Sequence, residues 1–426
     1  MHKNTLRSVL TSLAILLSGI AAWQNPALAS DAAASPAYLG AAYAPSSKQQ
    51  PSVAAMTTMG RVLFFDASLS ASGKMSCASC HSPSHAFGPP NNLAVQLGGK
   101  EMKTLGTRAA PSLRYLQTVP AFTEHFHDND GDDSIDAGPT GGHNWDGRAS
   151  SAHDQARIPL LSRHEMGNAS PNDVVNKLKK SPNAALFGQT FGEDIFNDQA
   201  QAFTAMLMAL EVFQESPADF YPYTSKYDAF LRHQTPLNKQ ELRGLALFND
   251  PAKGNCAACH ISEINPGGAF PQFTDYGLIA IGVPRNKKIP ANANPAFFDM
   301  GLCGPDRTDL RNKTEYCGLF KTPSLRNVAL RKVFFHNGSF TSLEQVLKFY
   351  VQRDTQPQKW YPRGKNSVVK KFNDLPVEYH DNINVEAPFD RKPGDKPALT
   401  DSEIKDVIVF LKTLNDGYVA TPSSKK

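Results

Sequence analysis

The pentapeptide CASCH at residues 77–81 returns as CAACH at 256–260, and each copy ends a longer matching block. The first block runs GRVLFFDASLSASGKMSCASCH (60–81) and the second GLALFNDPAKGNCAACH (244–260). In both, a Gly is followed four residues on by Phe and six residues on by Asp, then by a loop into the cysteines. A repeat at so long a period describes two duplicated domains rather than a solenoid. The chain must therefore fold so that each of two similar units carries one Cys-x-x-Cys-His.

Cys-x-x-Cys alone has several readings: a redox disulfide, half a zinc site, or a haem anchor. The trailing His narrows them, because Cys-x-x-Cys-His is the attachment signature of c-type haem. Two thiols one helical turn apart can reach the two vinyl groups of one porphyrin, and the adjacent His then lies under the iron. Zinc needs four ligands at a closed site, and no second Cys/His pair lies at finger spacing near either motif. A thioredoxin-type site needs one copy and a βαβ pattern, which is absent. Cys77, Cys80 and His81, and Cys256, Cys259 and His260, are thus expected to hold two covalent haem c groups, with His81 and His260 as iron ligands.

The N-terminus fits that chemistry. Lys3 and Arg7 precede the apolar run VLTSLAILLSGIAA, and Ala27-Leu28-Ala29 supplies an A-x-A cleavage site. Residues 1–29 read as an export signal, and the mature protein as periplasmic with no later membrane span. Removing them takes away two basic residues and no acid, so the formal net charge of +4 falls further towards zero. Such a balance gives no reason to expect nucleic-acid or membrane-surface binding. The two remaining cysteines, Cys303 and Cys317, read as a disulfide in an oxidising compartment. Closing a loop of that size is worth about 3 kcal/mol.

The expected fold class is mainly α: two cytochrome c-like helical domains, residues 30–215 and 216–426, each around one covalently attached haem c. Helices are expected over 53–65, 199–215, 237–248, 342–352 and 402–415. For the last, Ser402 is the N-cap candidate and Gly417 lies just past the end. The segment FHDNDGDDSIDAGPTGGH (126–143) is an acidic, glycine-rich loop. Its Asp128, Asp130 and Asp132 mimic an EF-hand start, but Asp133 and Pro139 stand where Gly and Glu are required, so the calcium loop fails. The Pro- and Lys-rich stretch 353–399 is expected to wrap the surface. His85, His125, His127, His143, His153 and His164 are expected as surface or hydrogen-bonded side chains rather than ligands.

Several blocks together resemble the bacterial di-haem cytochrome c peroxidase/MauG superfamily over roughly 50–417. They are the first haem block, APSL (110–113), WDGRASSAHDQARIPLLSRHEMG (145–167), CAACH, and FKTPSLRNVALRKVFFHNGSFTSLEQVLKFY (320–350). The resemblance implies that the His81 haem has an open distal side where hydrogen peroxide binds, while the six-coordinate His260 haem handles electrons. It also implies that Trp145 lies between the haems, that Glu165 handles the peroxide protons, and that Pro159 lines the same pocket. A carboxylate in an apolar pocket suits that proton transfer. Read alone, Glu165 is a surface acid at a helix start and Trp145 a core aromatic.

The sixth ligand of the second haem separates the branches of the family. Ordinary di-haem peroxidases supply a Met some fourteen residues beyond the FHNG-type His; from His336 that count reaches Tyr350. MauG-type proteins carry Tyr there. Thioether sulfur favours ferrous iron, whereas phenolic oxygen favours the oxidised states. The resemblance therefore implies a MauG-like enzyme, closer to the MauG/MbnH-like branch. Such an enzyme uses hydrogen peroxide to form a high-valent di-haem state that oxidises a side chain of a periplasmic partner protein, copper-binding in the MbnH group. One rival is a peroxidase drawing electrons from a small c-type cytochrome. The other is a non-catalytic electron carrier. A third alternative concerns Tyr350 itself: a packed helix aromatic, with Met300 or another group on the iron. The family also binds calcium between its domains through an Asn side chain and two backbone carbonyls. Here Ala109 replaces that Asn, and Arg331 and Val333 occupy the carbonyl positions.

Overall fold

The computed structural model describes residues 50–127 and 136–420. The export signal and the acidic tip with its EF-hand-like aspartates lie outside the described residues. Nine helices of six or more α-helical residues carry the described architecture. They are α1 (Val53–Phe65), α2 (Ala152–Leu161), α3 (Pro171–Lys180), α4 (Ala184–Phe191), α5 (Gln199–Gln214), α6 (Lys226–Leu231), α7 (Lys239–Asn249), α8 (Leu343–Gln352) and α9 (Asp401–Lys412). Among the described residues sheet is confined to two antiparallel pairs of two-residue strands: β1 (Leu97–Gly98) with β2 (Thr104–Leu105), and β3 (Leu278–Ile279) with β4 (Phe320–Lys321). The fold is mainly α, as expected.

The duplicated blocks occupy matching places. On α1 the buried residues Met56, Met59, Gly60, Leu63 and Phe64 recur at helical spacing and form one face. That face packs on α5, and the packing depends on Gly60: a Cβ there would lie 1.8 Å from the Ala209 carbonyl oxygen. In the second half α7 packs on α9 in the same way, and a Cβ on Gly244 would lie 2.1 Å from the Asp406 carbonyl oxygen. Phe64 and Phe248, four residues after these glycines, are both fully buried. Asp66 and Asp250 then end the two helices as C-cap residues. The shared Gly, Phe and Asp thus encode one device twice: a close helix crossing, a core anchor and a helix stop. One apolar cluster is drawn from residues 56–220 and a second from 227–414.

Three expectations change in detail. Helix α9 is capped by Thr400, not Ser402; Thr400 and Glu403 form a reciprocal capping box. The helix ends at Lys412, well before Gly417. The stretch 353–399 follows the surface only in part, because Arg353, Asp354, Tyr361, Asp374 and Phe389 are buried. Arg353 can be interior because its guanidinium bonds Asp354 (2.7 Å) and the carbonyls of Ile281 (3.2 Å) and Asn384 (2.8 Å), and lies 3.8 Å from the Phe389 ring centre.

Candidate active site

The first motif forms a single helical turn, Cys77–Cys80, followed by His81. The His81 ring donates from Nδ1 to the Phe87 carbonyl (3.0 Å). In the second motif His260 donates from Nδ1 to the Phe273 carbonyl (2.8 Å). A carbonyl can only accept, so each bond fixes the proton on Nδ1 and leaves an Nε2 lone pair for a metal. Burial lowers both imidazoles, His81 to about 4, so both are neutral.

Both carbonyl partners are phenylalanines with left-handed backbone, φ 53° at Phe87 and 56° at Phe273. That conformation is uncommon for a bulky residue and persists only where packing enforces it. Packing does so here. The Phe87 ring stacks on Phe220 at 4.2 Å, and the Phe273 ring meets Tyr227 edge-on at 5.5 Å. Sequence reasoning missed this pair, because the two phenylalanines stand at different distances from their histidines and so share no motif.

The four motif cysteines are free thiols, and burial pushes each up to about 12. Each neutral imidazole therefore stands beside two unpaired thiols at a cavity wall. These residues fit covalent haem: thiols for the porphyrin edge and the second imidazole nitrogen for the iron. The other two cysteines, Cys303 and Cys317, are joined as the expected disulfide.

Glu165 and Pro159 line the cavity of the first motif together with Cys77, Cys80, His81, Gln155 and Met166. Helix α2 carries Pro159, and the turn after it delivers Glu165, whose carbonyl accepts the Gly99 N–H (2.7 Å). The Glu165 side chain opens to water through the cleft, yet protein surrounds it closely enough to hold its carboxyl above the usual range. Desolvation is the main cause, Asp306 adds to it, and Ser162 and Arg148 oppose it. Gln155 and Gln214 line this cavity and the larger one described next, and sequence reasoning missed both.

The larger cavity, ≈ 280 Å³ against ≈ 40 Å³, is mostly apolar. Cys256, Cys259, His260 and Tyr350 line it, and Trp145 lies on its wall with Pro111 and Ser112 of the first half. Tyr350 stacks on Phe389 at 5.4 Å. Burial, then the nearby Cys259 and Cys256, raises its phenol further above the usual range, while Arg353 opposes the rise. Met300 packs instead beside the cluster of Leu278 and Leu302. Trp145 is nearly buried, and its indole N–H donates to the Ala109 carbonyl (2.8 Å).

The histidines mostly behave as expected. His125 pairs with Asp136, His153 with Glu211, and His164 bonds the Leu105 carbonyl. His143 differs: it is buried, and burial with nearby Lys321 pushes it down to about 4. His336, the counting landmark, is buried with its ring stacked on Phe320 at 3.6 Å, and its Nε2 lacks a hydrogen-bond partner.

Two neutral imidazoles beside paired thiols, on duplicated helix pairs with an indole near their junction, define a di-haem c-type protein. The sequence family described as di-haem cytochrome c peroxidase matches residues 54–236. The methylamine utilization protein MauG of Paracoccus denitrificans is 29% identical over 86% of this chain and 90% of its own length. MauG of Methylorubrum extorquens is 32% identical over 72% of each chain. Among solved structures, the diheme peroxidase BthA of Burkholderia thailandensis superposes with a TM-score of 0.75 and 38% identity, covering 85% of this chain and 86% of its own. The chain belongs to the di-haem cytochrome c peroxidase/MauG superfamily and is a haem-dependent, peroxide-using oxidoreductase.

Proposed function

We propose that this is an exported MauG-like enzyme that takes hydrogen peroxide at the His81 centre and spends the oxidising equivalents on a side chain of a partner protein. When bound, the two haems would supply iron centres that accept those equivalents. His81 and His260 would hold the irons, and the paired thiols would fix the porphyrins. Glu165, lining the cleft of the His81 centre, would take the proton from the peroxide oxygen nearer the iron and return it to the departing oxygen. Pro159 and Met166 keep that cleft apolar. Trp145, oriented by the Ala109 carbonyl, would pass electrons between the centres.

The observation that carries this reading is Tyr350. It lines the His260 cavity with Cys256 and Cys259, where a phenolic oxygen would favour an oxidised iron. No helix among the described residues is long and apolar enough to cross a membrane.

The test is to mix the ferric holoprotein with one equivalent of peroxide, remove the excess, and titrate with a one-electron reductant. Two stored equivalents that outlast the mixing by minutes support the proposal. Immediate decay, with fast turnover of a reduced small cytochrome c, would assign the protein to the peroxidase branch instead.

A further inference from the structure

The family's calcium site does not fit this chain. Its side-chain donor is replaced by the methyl of Ala109, which is buried. Among the described residues no group of three or more His, Cys, Asp or Glu side chains could hold a metal ion. Calcium takes six to eight oxygen ligands, and one of the two expected carbonyl donors at this place is already engaged by a side chain. The Arg331 guanidinium donates from Nη2 to the Ala110 carbonyl (3.1 Å) and from Nε to the Val333 carbonyl (3.3 Å). Ala110 adjoins the vanished Asn position, and Val333 is one of the two expected carbonyl donors.

We propose that the Arg331 guanidinium is the cation that ties the two halves of this chain together, standing in the place of a bound calcium ion, so that the enzyme keeps the geometry between its centres without calcium.

Three further observations agree. First, Arg331 forms no ion pair with any carboxylate among the described residues, so carbonyl dipoles face its charge, as they would face a metal ion. Burial pushes it down only to about 10, so it remains charged at neutral pH. Second, a reciprocal tie lies two residues away in sequence from Ala110. Arg108 of the first half bonds Asp299 of the second through Nε and Nη2, each at 2.6 Å, and Asp146 through Nη1 at 2.6 Å. Third, the segment between these ties holds the bridging indole. Ala109 donates its N–H to the His336 carbonyl (2.6 Å) and accepts the Trp145 indole N–H (2.8 Å). Two built-in guanidinium groups therefore fix residues 108–110, and through them Trp145.

The inference needs family membership and not the identity of the oxidised partner, and its test uses no peroxide. Ferric holoprotein is prepared in calcium, passed over a chelating resin, and assayed for calcium by mass spectrometry and for thermal unfolding. Wild type is expected to hold calcium far below one per chain, and its Tm and ferric spectrum should ignore both chelator and excess calcium chloride. Stoichiometric calcium whose removal lowers Tm would overturn the proposal. Arg331→Gln is expected to lower Tm and shift the ferric spectrum, whereas Arg331→Lys, which keeps the charge, should recover most of both. If Arg331→Gln unfolds at the wild-type temperature and matches wild type in every spectrum, the guanidinium is not the tie. If that variant cannot be recovered, the metal content of the wild type still decides.

Discussion

Glu165→Gln isolates the proton chemistry from the rest of the site. The substitution keeps the shape of the side chain, so the cleft lined by Cys77, Cys80, His81, Gln155 and Pro159 keeps its walls. What is lost is a basic oxygen beside the place where peroxide would bind. Positioned proton transfer contributes about 10²–10⁴-fold, which at 1.36 kcal/mol per decade is about 3–5 kcal/mol of barrier. Stopped-flow reaction of ferric holoprotein with peroxide should slow by about that factor. The pH profile supplies an internal control. The Glu165 carboxyl is held above its usual range, mainly by desolvation, and it acts as a base only when ionised. The wild-type rate should therefore rise with pH through that raised value, and the variant should lack this limb. Stability must move the other way. A carboxyl whose folded-state value is raised binds more protons folded than unfolded, so its contribution is most favourable at low pH and is lost as pH rises through the folded value. Glu165→Gln removes that ionisation penalty, and the variant should melt no lower than wild type at neutral pH. A variant that reacts at the wild-type rate, or that keeps the acid limb, would refute the assignment; a lower Tm would refute the electrostatic reasoning.

Other expectations follow from named contacts. Gly60→Ala and Gly244→Ala each force a Cβ into a carbonyl of the facing helix, and each should cost about 1–3 kcal/mol in chemical denaturation, as overpacking does. Replacing Cys303 and Cys317 together by Ser should cost about 3 kcal/mol, read as a lower Tm that reductant no longer changes. Tyr350→Phe keeps the stacking on Phe389 and should leave Tm nearly unchanged, while the midpoint potential of the His260 centre rises in spectroelectrochemical titration.

The helices that were legible are those whose caps and apolar spacing agree. Helix α1 matches its expected bounds, and α5, α7 and α8 lie within a residue or two of theirs. Helices α2, α3, α4 and α6 were not anticipated. In α3 the signal was present: Ser170 caps a helix that opens on Pro171 at its first position. In α2 the sequence argued against itself, because Pro159 lies inside the helix and proline normally breaks one. Tertiary need overrode propensity there, since the turn after Pro159 is what brings Glu165 to the cleft. The Thr400 cap shows a finer failure. Thr400 and Ser402 are both acceptable caps, and only the Glu at the third position of the helix separates them.

The site divides along the same line. The cysteines and the histidines beside them are local patterns, and one chain is enough to read them, whereas Tyr350 stands out only through the family resemblance, by the count from His336. The carbonyls of Phe87 and Phe273, and the ties made by Arg108 and Arg331, are products of assembly. Each joins residues that no spacing relates: Arg108 reaches across 191 positions to Asp299, and Arg331 across 221 to Ala110. Both arginines were in view in the sequence, one beside the missing Asn and one at a carbonyl position. The reading there treated position 331 as a backbone oxygen and ignored its side chain. A guanidinium is long enough to turn back on carbonyls of its own and of a neighbouring segment, and it presents five donors to them. Under the proposal above, Ala109 at the Asn position and Arg331 at the carbonyl position act together. The guanidinium would then make the junction complete when the chain has folded, with no calcium supplied.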